Sequence, residues 1–201
     1  MTHSRHMQPR GLETQARILD AAVRALVEHG YSGASTLRIQ QLAGVSRGSL
    51  LHQFPSRDAL LVAAVQHLAA ARFDALNSDK QWPEDPVQRI PEAVRTMWST
   101  YHQDYFWAAS ELWLAARHND ELRTALVGEE RALQRKIRDS IDTMFGPSLI
   151  LRPAYPRVRE ILNTSMRGVA LTYAFDRRDA VRDPHLTEWT DLAVGLLIGP
   201  S

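Results

Sequence analysis

The chain has 201 residues, 44% hydrophobic and 23% charged, with a formal net charge of +1 and no cysteine. That length and balance suit a globular protein with a real core and argue against disorder throughout. The lack of cysteine excludes disulfide frameworks, Cys-ligated zinc and thiol catalysis. The longest apolar runs, near Ala59–Val65 and Leu192–Gly199, fall far short of a membrane span, so no membrane partner is expected.

The small net charge hides an asymmetry. Residues 1–60 hold seven Arg and four acids, while the remainder holds 17 basic and 19 acidic side chains. A basic first quarter on a slightly acidic body points to a local anion-binding face. Met1–Arg10 has no apolar core and does not read as a signal peptide, so a cytoplasmic location is expected.

The pattern predicts an all-α chain of about nine helices, because no stretch alternates with period two. After a loose leader over residues 1–11, the first helix covers Glu13–His29, with Ile18, Ala22, Ala25 and Leu26 at three- and four-residue spacing. Gly30 ends it, since glycine takes a left-handed cap without steric cost. A short helix follows Ser35-Thr36, with Leu37 or Ile39 and Leu42-Ala43 as core positions. Gly44-Val45-Ser46 makes a tight turn, Ser46 caps a third helix to Phe54, and Pro55 stops it. Two short helices joined by a three-residue turn with glycine have the sequence form of a helix-turn-helix.

Ser56 caps a fourth helix from Arg57 to about Ala75, and Asn77–Pro86 is loop-like. The fifth helix spans Val87–Gln103, the sixth Tyr105–His118, and the seventh runs from Asn119 or Asp120 to Phe145. Gly146-Pro147 ends the seventh, the eighth covers Pro156–Phe175, and Asp183-Pro184 starts the ninth.

The segment Thr36–Arg57, TLRIQQLAGVSRGSLLHQFPSR, carries the most information. In a helix-turn-helix the second helix enters the major groove of double-stranded DNA. Leu42, Val45, Leu50 and Phe54 suit the buried seam, which turns Arg47, Ser49, His52 and Gln53 outward, with Gly48 on the same short helix. Arg reads guanine bidentately, Gln reads adenine, and Arg57 suits a phosphate.

From about Thr14 to Val65 the chain resembles the TetR family of transcriptional repressors. The matching pieces are ARILDAAVRALVEHGYSGAST, IQQLAGVSRGSL and FPSRDALLVAAV, together about a quarter of the chain. The resemblance implies an N-terminal three-helix DNA-binding domain over 1–57 and a helical ligand-binding and dimerisation domain over 58–201. It further implies a homodimer on a palindromic operator, released by a small-molecule effector. Carried over residue by residue, Thr36 and Arg57 match phosphate contacts, and Arg47, Ser49, His52 and Gln53 match the reading face. Many members place a phosphate-binding Tyr where this chain has Leu51, which suits a thymine methyl or packing instead.

Two further features lie in the C-terminal part. Trp98, Tyr101, Tyr105, Phe106 and Trp113 crowd the fifth and sixth helices with Glu111 as a polar handle, and as a group they suggest a pocket for an apolar or aromatic effector. Small residues in the last two helices, Gly168 and Ala193 with Leu196 and Leu197, suggest close packing across a dimer interface. Among rival readings, a helical enzyme lacks GxGxxG, a P-loop and any Glu-x-x-His spacing, and no metal or cofactor is expected. A protein-binding adaptor is disfavoured by outward Arg and Gln without an apolar or acidic patch.

Overall fold

The computed structural model describes residues 9–78 and 80–199, apart from the side chains of residues 9, 10 and 72–78. Ten α-helices and one short 3-10 turn make up the regular structure of these residues. The chain folds as two compact units, each drawn from two segments: one up to Ala71 with Trp107–Leu133, the other Arg72–Phe106 with Gln134 onward. As packed, the first unit therefore extends beyond residues 1–57.

In the first unit, α1 (Pro9–Gly33) contains residues expected in the leader, Pro9–Gly11, while the rest of that leader lies outside the described residues. Ile18, Ala21, Ala22, Ala25 and Leu26 are fully buried, as their one-sided spacing requires. The helix breaks at Gly30, whose φ of 65° and ψ of 179° lie where side chains are strained. A Cβ there would also meet Glu111 Oε2 at 3.0 Å. The short α2 (Thr36–Ala43) is capped by Ser35, whose Oγ accepts the Arg38 N–H at 3.2 Å. Gly44 ends it in the left-handed conformation with φ of 63°.

Ser46 Oγ accepts the Ser49 N–H at 3.2 Å and starts α3 (Arg47–Gln53). Phe54 is extended, as a residue before proline must be. Ser56 Oγ then accepts the Ala59 N–H at 3.1 Å at the start of α4 (Arg57–Ser78). Leu60, Leu61, Ala64 and Val65 of α4 join the α1 stripe, Ile39, Ala43, Leu50 and Phe54 in one apolar core. Ala108, Leu112 and Ala116 of α6 (Asp104–Ala116) and Leu122 and Leu126 of α7 (Asp120–Phe145) complete it. Asn119 Oδ1 accepts the Leu122 N–H at 3.0 Å and so caps α7.

The second unit is built on α5 (Pro86–Thr100), α9 (Tyr155–Thr172) and α10 (His185–Leu197). Asp85 caps α5 through the Val87 N–H at 3.0 Å. Val158, Leu162, Met166 and Ala170 form the buried stripe of α9, and Trp189, Ala193 and Leu197 that of α10. The end of α7 carries Gly146 at φ 78°, followed by the short α8 (Pro147–Ile150), a helix the sequence reading did not anticipate. Arg89 closes that end: its Nε donates to Met144 O and its NH2 to Thr143 O, both at 2.9 Å. Carbonyls that a helix terminus leaves without partners thus receive a cation. Asp183 opens α10 by accepting the His185 N–H at 2.8 Å.

Candidate DNA-binding interface

The outward face of α3 follows from what its inward face buries. Leu50 and Phe54 are almost wholly covered by the core of the first unit, which fixes the rotation of this two-turn helix. Arg47, Gly48, Leu51 and His52 consequently stand exposed, while Ser49 and Gln53 are half-buried. Gln53 is less outward than its reading role suggested, because its Oε1 is buried and has no hydrogen-bond partner among the described residues. One seam assignment needs correction: Leu42 is exposed, while Val45 is half-buried and packs against the core. Of the alternatives Leu37 and Ile39, Ile39 takes the buried position of α2, together with Ala43, and Leu37 is exposed. With eight residues, α2 has room for one buried position per turn, and the core selected Ile39.

Thr36 is half-buried at the first position of α2, where the leading amides of a helix have no intrahelical acceptor. Gly48 has no neighbour closer than 3.9 Å to the place a Cβ would occupy, so internal packing does not demand a glycine there.

Arg57 is more deeply committed than a phosphate ligand needs to be. Its Nε donates to Ala34 O at 2.9 Å, its NH2 donates to Tyr31 O, and its guanidinium lies 4.2 Å from the centroid of the Tyr31 ring. Asp58 adds an ion pair at 3.6 Å. Arg57 therefore ties the start of α4 to the corner between α1 and α2.

That corner is the centre of a polar network. The Tyr31 hydroxyl donates to Asp58 Oδ1 at 2.8 Å and accepts from Asn119 Nδ2 at 3.0 Å. Asn119 Nδ2 also donates to Asp58 Oδ2 at 3.1 Å. The Tyr31 backbone N–H, released by the break at Gly30, donates to Glu111 Oε2 at 2.9 Å. Burial, then the hydrogen bond and charge of Asp58, raise the Tyr31 pKa, with Asn119 and Arg57 opposing, so the hydroxyl remains a donor. Glu111 is thus an acceptor that completes a helix end. Its place inside FWAASELWLAA marked it as a polar group in apolar surroundings, but sequence could not show its partner, 80 residues away.

The aromatic residues expected to line a pocket fall in both units. In the second, Trp98 packs 4.8 Å from Trp189 and 5.7 Å from Tyr173, ring centre to ring centre, and donates Nε1 to Ala180 O at 2.8 Å. Tyr101 stacks edge-on against Phe106 at 5.3 Å and donates to Asn163 Oδ1 at 2.6 Å. Tyr105 is buried as well. In the first unit, Trp113 donates Nε1 to Glu130 Oε1 at 2.7 Å. An open, largely apolar groove of about 470 Å³ lies elsewhere in that unit, between Ala59, Val62, Ala63, Gln66 and His67 of α4 and Ala125 and Glu129 of α7.

The expected dimer residues also divide. Ala193 and Leu197 face the protomer's own core, whereas Gly168 and Leu196 are exposed. A stripe of Thr164, Gly168, Leu171 and Phe175 at three- and four-residue spacing is exposed along and just beyond α9. A Cβ at Gly168 or Gly195 would meet nothing within 4 Å.

Residues 18–64 match the family model for bacterial regulatory proteins of the tetR family. The HTH-type transcriptional regulator CymR of Pseudomonas putida is 31% identical over 173 residues, 81% of this chain and 80% of that protein. The uncharacterized HTH-type transcriptional regulator Rv2912c of Mycobacterium tuberculosis is 26% identical over 187 residues, 92% of each chain. The fold is shared with the multidrug binding protein EbrR solved in complex with imidazole, at a TM-score of 0.64 and 20% identity over 100% of this chain and 99% of that one. The chain belongs to the TetR family of bacterial regulatory proteins. It is an all-helical transcriptional regulator whose helix-turn-helix comprises α2 and α3.

Proposed function

We propose that the protein is a repressor that binds palindromic DNA as a homodimer and is released by a small apolar or aromatic effector. The observation that carries the DNA reading is the orientation of α3: a Ser46-capped helix held by Leu50 and Phe54, with Arg47, Gly48, Leu51 and His52 outward. In this reading Arg47, Ser49, His52 and Gln53 address base edges, and Thr36 and the α2 amides address a phosphate. Leu51, 49% exposed, suits a thymine methyl. Arg57 acts chiefly by holding α4 against Tyr31 and Ala34, and any phosphate contact uses the donors left over.

One reading helix spans few base pairs, so selectivity requires two of them related by symmetry. The exposed α9 stripe with Gly195, Leu196 and Ile198 of the α10 region supplies a face suited to a second copy. For the effector, the α4–α7 groove has a volume in the range of small-molecule sites and is lined mainly by small apolar side chains. Its occupant would bear on α4, the helix that begins at Arg57 directly after the reading segment. The rings of Trp98, Tyr101, Tyr105 and Phe106, buried in the second unit, are the aromatic alternative to that groove.

Selection of bound sites from random DNA duplexes tests the reading. Enriched sequences with inverted repeats, bound by a dimer, are expected. Recovery of no enriched sequence by a monomeric protein would overturn it.

A further inference from the structure

A second cavity, of about 140 Å³, lies in the second unit between α7 and α9, and its lining is chemically unlike that of the α4–α7 groove. Three arginines border it: Arg138 from α7, and Arg159 and Arg167 from α9. Glu160 is the one acid on its wall, and its Oε1 accepts the Thr164 hydroxyl at 3.3 Å. Arg159 is balanced by Asp142 at 2.6 Å. Arg138 is exposed and has no ion pair or hydrogen bond among the described residues. Arginines outnumber acids on its wall by three to one.

A neutral donor is oriented beside these cations. The Tyr101 hydroxyl donates to Asn163 Oδ1 at 2.6 Å, which fixes the amide and leaves its NH2 group as a donor on a residue that lines the cavity. Ile137 and Ile141 give the opposite character, an apolar wall for a short hydrocarbon body. Two guanidinium forks and an amide N–H are the donor set that recognises a carboxylate or a phosphate. A volume of about 140 Å³ accommodates an anionic head with a short body.

We propose that the α7–α9 cavity binds a small anion, a short carboxylate or a phosphate group, through Arg138, Arg167 and the Asn163 amide. This site is separate from the groove assigned to the apolar effector, and its occupancy does not depend on DNA binding. Thr164 belongs both to its wall and to the exposed α9 stripe, so the site borders that face.

The test uses the full chain and two probes, butyrate and inorganic phosphate, at constant ionic strength, with butyramide as the uncharged control. The side-chain resonances of Asn163 and the arginine Nε–H groups are followed by NMR. A saturable shift with either anion and none with butyramide is expected. Butyrate alone saturating identifies a carboxylate source; phosphate alone identifies a phosphate source. In Arg138→Gln the affinity should fall about tenfold or more, the range for a lost charge-assisted hydrogen bond. Arg138→Lys should recover part of it, and both variants should melt within a few degrees of the parent, because Arg138 is exposed. The proposal is overturned if neither anion saturates, if butyramide shifts the same signals, or if Arg138→Gln binds as the parent does.

Discussion

Gly30 and Glu111 show how one backbone position organises several side chains. Because φ is 65° at Gly30, the helix breaks there and the Tyr31 N–H must find another acceptor, which Glu111 supplies. Gly30→Ala places a Cβ in a strained conformation 3.0 Å from that carboxylate. A loss of about 1–3 kcal/mol is expected in urea unfolding, the range for such backbone strain. A second residue-scale effect is pH-dependent. Burial raises the Asp183 pKa, but hydrogen bonds from the Tyr173 hydroxyl and from the backbone and ring of His185, with the His185 charge, bring the net below the ordinary carboxylate value. A depressed folded pKa means that the unfolded state binds the proton more readily. The contribution is therefore present above the unfolded value near 4 and is lost as pH falls through the folded one. Asp183→Asn should lower the melting temperature at pH 7 and make the melting curve less sensitive to pH in the acid range. An unchanged acid dependence would remove Asp183 from this role.

At the scale of the element, α3 shows how a helix too short to persist alone becomes a rigid reading surface. Seven residues cannot sustain a helix in water, so the cap and the buried seam must hold it. Ser46→Ala should cost about 0.5–2 kcal/mol of stability and weaken operator binding without changing which sequence is preferred. By contrast, Arg47→Ala should cost about 1–3 kcal/mol at the selected site and relax preference there. Competition binding against a panel of single-base variants separates the two patterns. The α10 region supplies the complementary case. Leu197→Ala should destabilise by about 2–5 kcal/mol, as a core truncation does, and leave the dimer to form in whatever protein remains folded. Phe175→Glu and Leu196→Glu change exposed residues and should instead yield a folded monomer by light scattering.

At the scale of the whole molecule, much was legible in the sequence because it is local. The order of the main helices, the Ser35, Ser46, Ser56 and Asn119 caps and the stops at Gly30 and Gly44 all depend on residues within a few positions of each other. The family resemblance was readable for the same reason, since its pieces lie between Thr14 and Val65. What a periodic stripe does not contain is the identity of the surface it meets. Apolar spacing marked Leu37, Leu42, Leu196 and Leu197 alike, yet only Leu197 is buried. The aromatic run from Trp98 to Trp113 read as one cluster, but its members pack in two different units. The Tyr31–Asp58–Asn119 network, the Arg57 clamp and the arginine-lined cavity join residues far apart in the chain, up to 88 positions for Tyr31 and Asn119. By itself, the sequence determined the helices and the reading segment, because capping, turn chemistry and spacing act over a few residues. Tertiary structure alone decided which face of each helix is buried and which charges meet, because burial and pairing depend on what chain folding brings from far away.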